Sequence, residues 1–251
     1  MNIFDFFTQP ANWVGSEGIP GAIGLHLMYS GISLLIALAI AVPLGVYVGY
    51  TGRGEAVVAG LANALRALPT LGLLILVVMI LAPVFGSSLA FVLPTIVVLV
   101  LLAVPPILTG TYSGIQAADP DAVGAARGMG YTKAQILWHI QLPCALPLLL
   151  SGIRGATLQI VSTATVAAYV GLGGLGRFII DGRAQGDYSK MAAGAILVAL
   201  LALVLELAFI AIGRLVISPG LQRTTRRSRK TPAPPQPQPP APAQVLASSA
   251  T

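Results

Sequence analysis

The chain has 251 residues, 56% of them hydrophobic and 9% charged, with a formal net charge of +6 and a mean hydropathy of +0.86. Soluble domains carry about a quarter charged residues, so this composition excludes a water-soluble globular fold. Uncharged runs of about 20 residues recur, the length that crosses about 30 Å of hydrocarbon as helix, and the expected class is an all-α, polytopic membrane protein.

Residues 1–24 lack the basic start and small-residue cleavage site of a secretory signal. They carry Asp5 and Glu17 but no Lys or Arg, and are expected to be retained as an extracytoplasmic N-terminal segment. The membrane domain is expected over 25–217, with about five spans near residues 25–50, 57–82, 88–108, 145–170 and 190–217. Continuous apolar runs without dyad alternation argue against a β-barrel. Arg66, Pro69 and Gly72 interrupt the second run, and its opening stretch GLANALRALP (60–69) predicts a tilted, Pro-broken start along the interface.

Basic residues orient the spans. Arg53 follows the first, Arg127 and Lys133 lie between the third and fourth, and Arg223, Arg226, Arg227, Arg229 and Lys230 follow the fifth, whereas the 83–87 turn is uncharged. The positive-inside rule then puts the N-terminus outside and the C-terminus in the cytoplasm, so the net charge reports topology and not a nucleic-acid partner. The 171–189 connection is mixed, with Arg177 and Arg183 offset by Asp181 and Asp187. Within it Gly171, Gly173 and Gly176 spell GxGxxG, but no strand precedes them, so they are expected to turn the chain back, with Phe178, Ile179 and Ile180 dipping into the interface. Residues 218–251 become basic and then Pro-rich, predicting a disordered cytoplasmic tail, either a tolerated extension or a partner ligand. Its basic run is either a topological anchor or a lipid-binding sensor of ionic strength.

The cytoplasmic connection of about 119–143 is too long for a simple link between helices and is expected to be structured. Asp119 suits an N-cap, Pro120 the first helical position and Asp121 the positive end of the helix dipole. Ala122, Ala125 and Ala126 favour helix with little bulk, Gly128 interrupts it, and Gly130 suits a left-handed cap. Met129 and Tyr131 offer an adaptable apolar plug and an amphipathic ring. A second helix is expected from about Thr132, presenting Ile136, Leu137, Ile140 and Leu142, until Pro143 and Pro147 start the next span. The whole has the character of a docking element.

Gly124-Ala125-Ala126, three residues, Gly130, nine residues, then Ile140-x-Leu142-Pro143 resembles the EAA-loop signature of ATP-binding-cassette importer permeases, EAA-x3-G-x9-I-x-LP. AVPPILTGTYSGI (103–115) and SGIRGATLQIVSTATVAAYVGLGGLG (151–176) are similar to the osmoprotectant branch, which moves glycine betaine, choline, carnitine and similar compounds. The resemblance implies a type I importer transmembrane domain working as a permease pair of identical or different chains. It implies cytoplasmic ATPase subunits holding ATP and Mg, a coupling helix at 124–130 including Arg127, and an extracytoplasmic substrate-binding protein. The chain itself would bind no cofactor or metal and would be no enzyme; no Walker A sequence is present. One departure is Gly124, where the pattern has Glu; Asp121, three residues earlier on roughly the same face, is a possible substitute carboxylate.

Arg154 and Glu206 fall at similar depth inside the fourth and fifth spans. Two readings remain: they pair, or Arg154 snorkels to the cytoplasmic surface while Glu206 is protonated or lines a subunit contact. Thr157, Gln159, Ser162, Thr163, Thr165 and Tyr169 form a polar stripe that suits interhelical packing or a translocation pathway, with Tyr112 and Tyr169 as aromatic contacts for a quaternary ammonium. A single cysteine, Cys144, and the separated His26 and His139 supply neither a disulfide nor a metal-ligand spacing, and no serine is placed with a base for hydrolysis. The alternatives are a permease of this class for another small solute, such as an amino acid, and an ATP-independent secondary transporter; internal repeats and midplane ion-coupling charges would favour the latter.

Overall fold

The computed structural model describes residues 3–85 and 89–216. Among these the regular structure is helical, without a strand. A short helix α1 (Ile3–Thr8) and a 3-10 turn (Pro10–Trp13) precede α2 (Ile19–Thr51), α3 (Glu55–Ala67), α4 (Thr70–Leu81) and α5 (Leu89–Gln116). There follow α6 (Pro120–Gly128), α7 (Lys133–Ile136), a π-helical turn (Leu137–Gln141), α8 (Leu142–Ala167), α9 (Gly176–Gln185) and α10 (Tyr188–Val216). Four helical runs, Ile19–Thr51, Leu89–Gln116, Lys133–Val170 and Tyr188–Val216, are long and apolar enough to cross a membrane. The pair α3–α4, bent by 95°, makes a fifth if counted as one span. The expected all-α multi-pass architecture is therefore present, and the expected tail at 218–251 lies outside the described residues.

The second run is broken at its proline, as expected: Leu68, held extended before Pro69 at φ −75° and ψ 133°, separates two helices, and the 12-residue α4 spans only about 18 Å by itself. Other predicted boundaries are corrected. The third continues to Gln116 through Pro94, Pro105 and Pro106, because packing against neighbours holds a helix together where its prolines cannot donate. The second helix expected from Thr132 is no separate element but the start of the fourth span. At Leu142 the N–H bonds to Leu137 O, one residue beyond the α-helical partner. This π-turn lets the helix pass into Pro143, whose ring would otherwise press on the preceding turn. The 171–189 connection contains a ten-residue helix, α9. Its Phe178 does not dip into the interface; it packs edge-on to Phe6 with ring centroids 5.7 Å apart, in a cluster with Ile19, Ala22, Leu175 and Ala193.

The centre of the molecule is α5 sandwiched between α2 and α8. Ala37, Ala41, Leu99, Ala103, Ile107, Ala156 and Ile160 form its buried core. Small residues dominate because, between helices in lipid, close van der Waals contact replaces the hydrophobic effect as the driving force. Helices α5 and α8 approach closely at Gly110 and Gly152: a Cβ on the first would stand 2.6 Å from Leu148 O, and on the second 2.5 Å from Pro106 O. At one end α1 and the Pro10–Trp13 turn are tied together by Asn12 Nδ2 donating to Phe6 O and Trp13 Nε1 donating to Phe7 O, both at 2.8 Å, and α1 rests on α10.

Candidate coupling helix and membrane recess

The segment between α5 and α8 is built by caps at every joint. The Asp119 carboxylate accepts the Asp121 N–H at 2.9 Å and Pro120 takes the first turn, so α6 starts where the sequence predicts. It ends in a Schellman arrangement: Gly130, at φ +86°, donates to Arg127 O at 3.0 Å, and Tyr131 N–H reaches Ala126 O at 3.1 Å. Thr132 then starts the next helix with a capping box. Its hydroxyl accepts the Gln135 N–H at 3.3 Å, while Gln135 Oε1 accepts the Thr132 N–H at 2.8 Å. This T-x-x-Q box is legible in the letters but had no place in the expectations above.

On α6 only Ala126 is buried. Asp121, Gly124, Ala125, Arg127, Gly128, Met129, Gly130 and Tyr131 are exposed, with Met129 at 71% of its full accessibility. Ile140, Leu142 and Pro143 are half-buried, and Ile136 is buried. His139 Nδ1–H donates to Gln135 O at 3.0 Å within its own helix. The consequence is a small, protruding helix rigidly clipped to a run that continues unbroken from Lys133 to Val170.

Within the spans, Arg154 of α8 and Glu206 of α10 form a two-point ion pair. Arg154 Nε donates to Glu206 Oε2 at 2.7 Å, and Nη2 to Oε1. The side chains keep 44% and 23% of their accessibility, so they are partly exposed on the surface of the single chain. His26 is almost fully buried and its Nε2 meets Val161 O at 3.1 Å, bridging α2 to α8. Lone histidines in spans carry no pairing signal in sequence, so this bridge was not foreseen.

The polar stripe does not form one face. Thr157 and Thr165 donate to the carbonyls of Ile153 and Val161, at 2.9 and 3.2 Å, and Ser162 donates to Gln159 O at 3.0 Å, so these hydroxyls serve their own helix. Thr163 is buried, and Tyr112 is buried in the core between α2, α5 and α8. Tyr169 is exposed and accepts from Arg183 Nη1 at 3.2 Å. Gln159 opens on a recess of about 310 Å3, shared with Gly155, Pro105, Pro106 and Thr70. A second recess, of about 440 Å3, lies at the α1 end beside Gly171, Gly174, Glu17 and the Arg177–Asp181 pair, whose Nε and Oδ2 are 3.3 Å apart. No group of three or more metal-ligating side chains occurs among the described residues.

Comparison with known proteins places this arrangement. The choline transport system permease protein OpuBB of Bacillus subtilis is 31% identical over 198 residues, covering 79% of this chain and 88% of that protein. The glycine betaine/carnitine/choline transport system permease protein OpuCB of the same organism is 32% identical over 199 residues, with the same coverage of each chain. Among solved structures, an inward-facing form of the MetNI methionine ABC transporter shares the fold with a TM-score of 0.68 at 24% identity, covering 84% of this chain and 100% of that one. A family model for the binding-protein-dependent transport system inner membrane component matches residues 41–218, a stretch that contains the bent span, the capped protruding helix and the ion-paired helices together. Apolar spans, a clipped helix outside them and this match have one meaning: the chain belongs to the family of inner membrane components of binding-protein-dependent transport systems.

Proposed function

We propose that this chain is the membrane permease of an ATP-driven importer for osmoprotectants of the glycine betaine, choline and carnitine type. In this reading α6 docks in a separate cytoplasmic ATPase, which alone binds ATP and Mg, and two permease chains enclose the pathway. An extracytoplasmic binding protein delivers the substrate, and the N-terminus lies outside with the C-terminus in the cytoplasm. Closure of the paired ATPases would draw the two α6 helices together, and the continuous run into α8 would turn the pathway outward; hydrolysis would return it. Lipid contacts the remaining helix faces, and the chain performs no chemistry on its cargo.

One observation carries the proposal: a short helix with almost every side chain exposed, capped at both ends and fused through a π-turn to a membrane span. Exposed small residues such as Gly124 and Ala125 let another backbone approach, and the exposed Met129 supplies an adaptable contact. The substrate class is supported by the named cargo of the relatives that share about four fifths of the chain. A permease for an amino acid is the second reading, favoured by the fold shared with the methionine transporter and with an amino acid ABC transporter, the latter at TM-score 0.62.

The test is gentle purification of the tagged protein from its native membrane, mass spectrometry of what stays bound, and ATP-driven uptake in proteoliposomes. An ATPase in the complex and uptake of choline or glycine betaine are expected. Uptake of amino acids alone would move the assignment to the second reading, and uptake without any ATPase would overturn the importer.

A further inference from the structure

Pro105 and Pro106 stand side by side within α5, and neither has an N–H. The carbonyls of Leu101 and Leu102, one turn earlier, therefore lack their helical donors. Free backbone dipoles are tolerated within a membrane only where protein or a polar cavity meets them. Here Leu102 and both prolines line the recess of about 310 Å3 described above, at the lower edge of the size range of small-molecule sites.

The opposite walls are Gly155 and Gln159 of α8. Gln159 Nε2 donates to Thr163 Oγ1 at 3.5 Å, and no donor meets its Oε1 among the described residues. The third side is the α3–α4 bend, contributing Leu65, Leu68 and Thr70. There α3 ends, so its last-turn carbonyls have no partners within the helix and form the negative pole of its dipole. The recess thus combines the Gln159 amide and the Thr70 hydroxyl with aliphatic walls beside backbone left short of donors, and among the described residues its lining includes no acidic or basic one.

We propose that this recess is a weak stopping place for a methylated ammonium head group inside the membrane domain, a site that rests on the importer assignment and adds the cargo's position to it. Methyl groups cannot donate strong hydrogen bonds and suit leucine and proline walls, while their shared positive charge is met by the negative ends of dipoles. The absence of a fixed carboxylate keeps the cargo from being trapped, since a path must bind weakly enough to release. The tyrosines do not contribute: Tyr112 is buried elsewhere and neither it nor Tyr169 lines the recess.

The test uses the complete transporter with its ATPase and binding protein in proteoliposomes, with choline and glycine betaine as probes. A Cβ on Gly155 would meet nothing within 4 Å, so Gly155→Leu starts into open space and adds bulk at the wall of the recess. Gly155→Leu is expected to lower uptake per ATP hydrolysed by about tenfold, and Gln159→Leu, which removes one acceptor, by a few-fold. Gln159→Glu adds a fixed charge, so choline loaded inside the vesicles should inhibit transport at about tenfold lower concentration than in the wild type. The uncharged carbon isostere of choline, with tert-butyl replacing trimethylammonium, should gain nothing. Co-purification with the ATPase certifies the assembly of each variant. Uptake per ATP within about twofold of wild type in both leucine variants, or equal gain by the carbon isostere, would overturn the site. Failure of the wild type itself to move either compound would instead overturn the substrate assignment on which the site rests.

Discussion

Glu206→Gln is the most informative single change outside the coupling helix. It keeps the shape of the side chain, removes its charge and leaves Arg154 without a counter-ion at a depth of about 18 Å along α8 from Leu142, near the middle of a bilayer. An exposed pair in water contributes only about 0–1 kcal/mol, and stripping one partner from a buried pair costs about 3–5 kcal/mol. The accessibility of 44% and 23% places this pair between those cases. In the membrane placement expected for these spans screening by water is weak, and a lone arginine at mid-span costs about 2.5–3.5 kcal/mol. We therefore expect Glu206→Gln to destabilise by about 3 kcal/mol, Arg154→Gln by about 2, and the double variant by about 2–3, a coupling of about 2–3 kcal/mol. The exchange Arg154→Glu with Glu206→Arg should recover most of the loss. Reversible unfolding of the four proteins in bicelles measures the cycle. Additivity of the two single effects to within about 0.5 kcal/mol would refute the pair as an energetic link between α8 and α10.

The remaining expectations concern packing and capping. Gly152→Ala puts a methyl 2.5 Å from Pro106 O, a backbone atom that cannot yield, so α5 and α8 must separate and thermal stability should fall by about 1–3 kcal/mol. Thr132→Ala removes the hydroxyl that accepts the Gln135 N–H, one half of the capping box, and should loosen the joint below α8 by about 1 kcal/mol, read as faster amide exchange at Gln135 and Ile136. Gly124→Glu meets open space and replaces a poor helix former, so it should tighten association with the ATPase by a few-fold in a pull-down titration, whereas Ala125→Glu should weaken it. If Asp121 stands in for the missing carboxylate, Asp121→Asn should lower that affinity in the wild type but not beside Gly124→Glu; equal loss in both backgrounds would sink the substitution idea.

Composition and periodicity by themselves determined the class of this protein. A chain with so few charges cannot be soluble, and the letters around Asp119, Pro120 and Gly130 specify caps that any backbone must obey, which is why α6 begins and ends as predicted. Local chemistry of that kind is complete within a few residues. The break at Pro69 was legible, but the fused Lys133–Val170 run, the continuation of α5 through three prolines and the helix α9 were less so, because a proline announces a disturbance without saying whether the helix breaks, bulges or continues. Tertiary structure alone decided the partners of isolated polar side chains. Arg154 and Glu206, 52 residues apart, and His26 and Val161, 135 apart, meet because α2, α5 and α8 pack closely through small residues and α10 lies against α8. For the same reason, hydroxyls of the polar stripe that look free in a linear pattern return to their own helix carbonyls. Gln159 faces a recess created where two prolines and a broken helix leave space that no short stretch of sequence encodes.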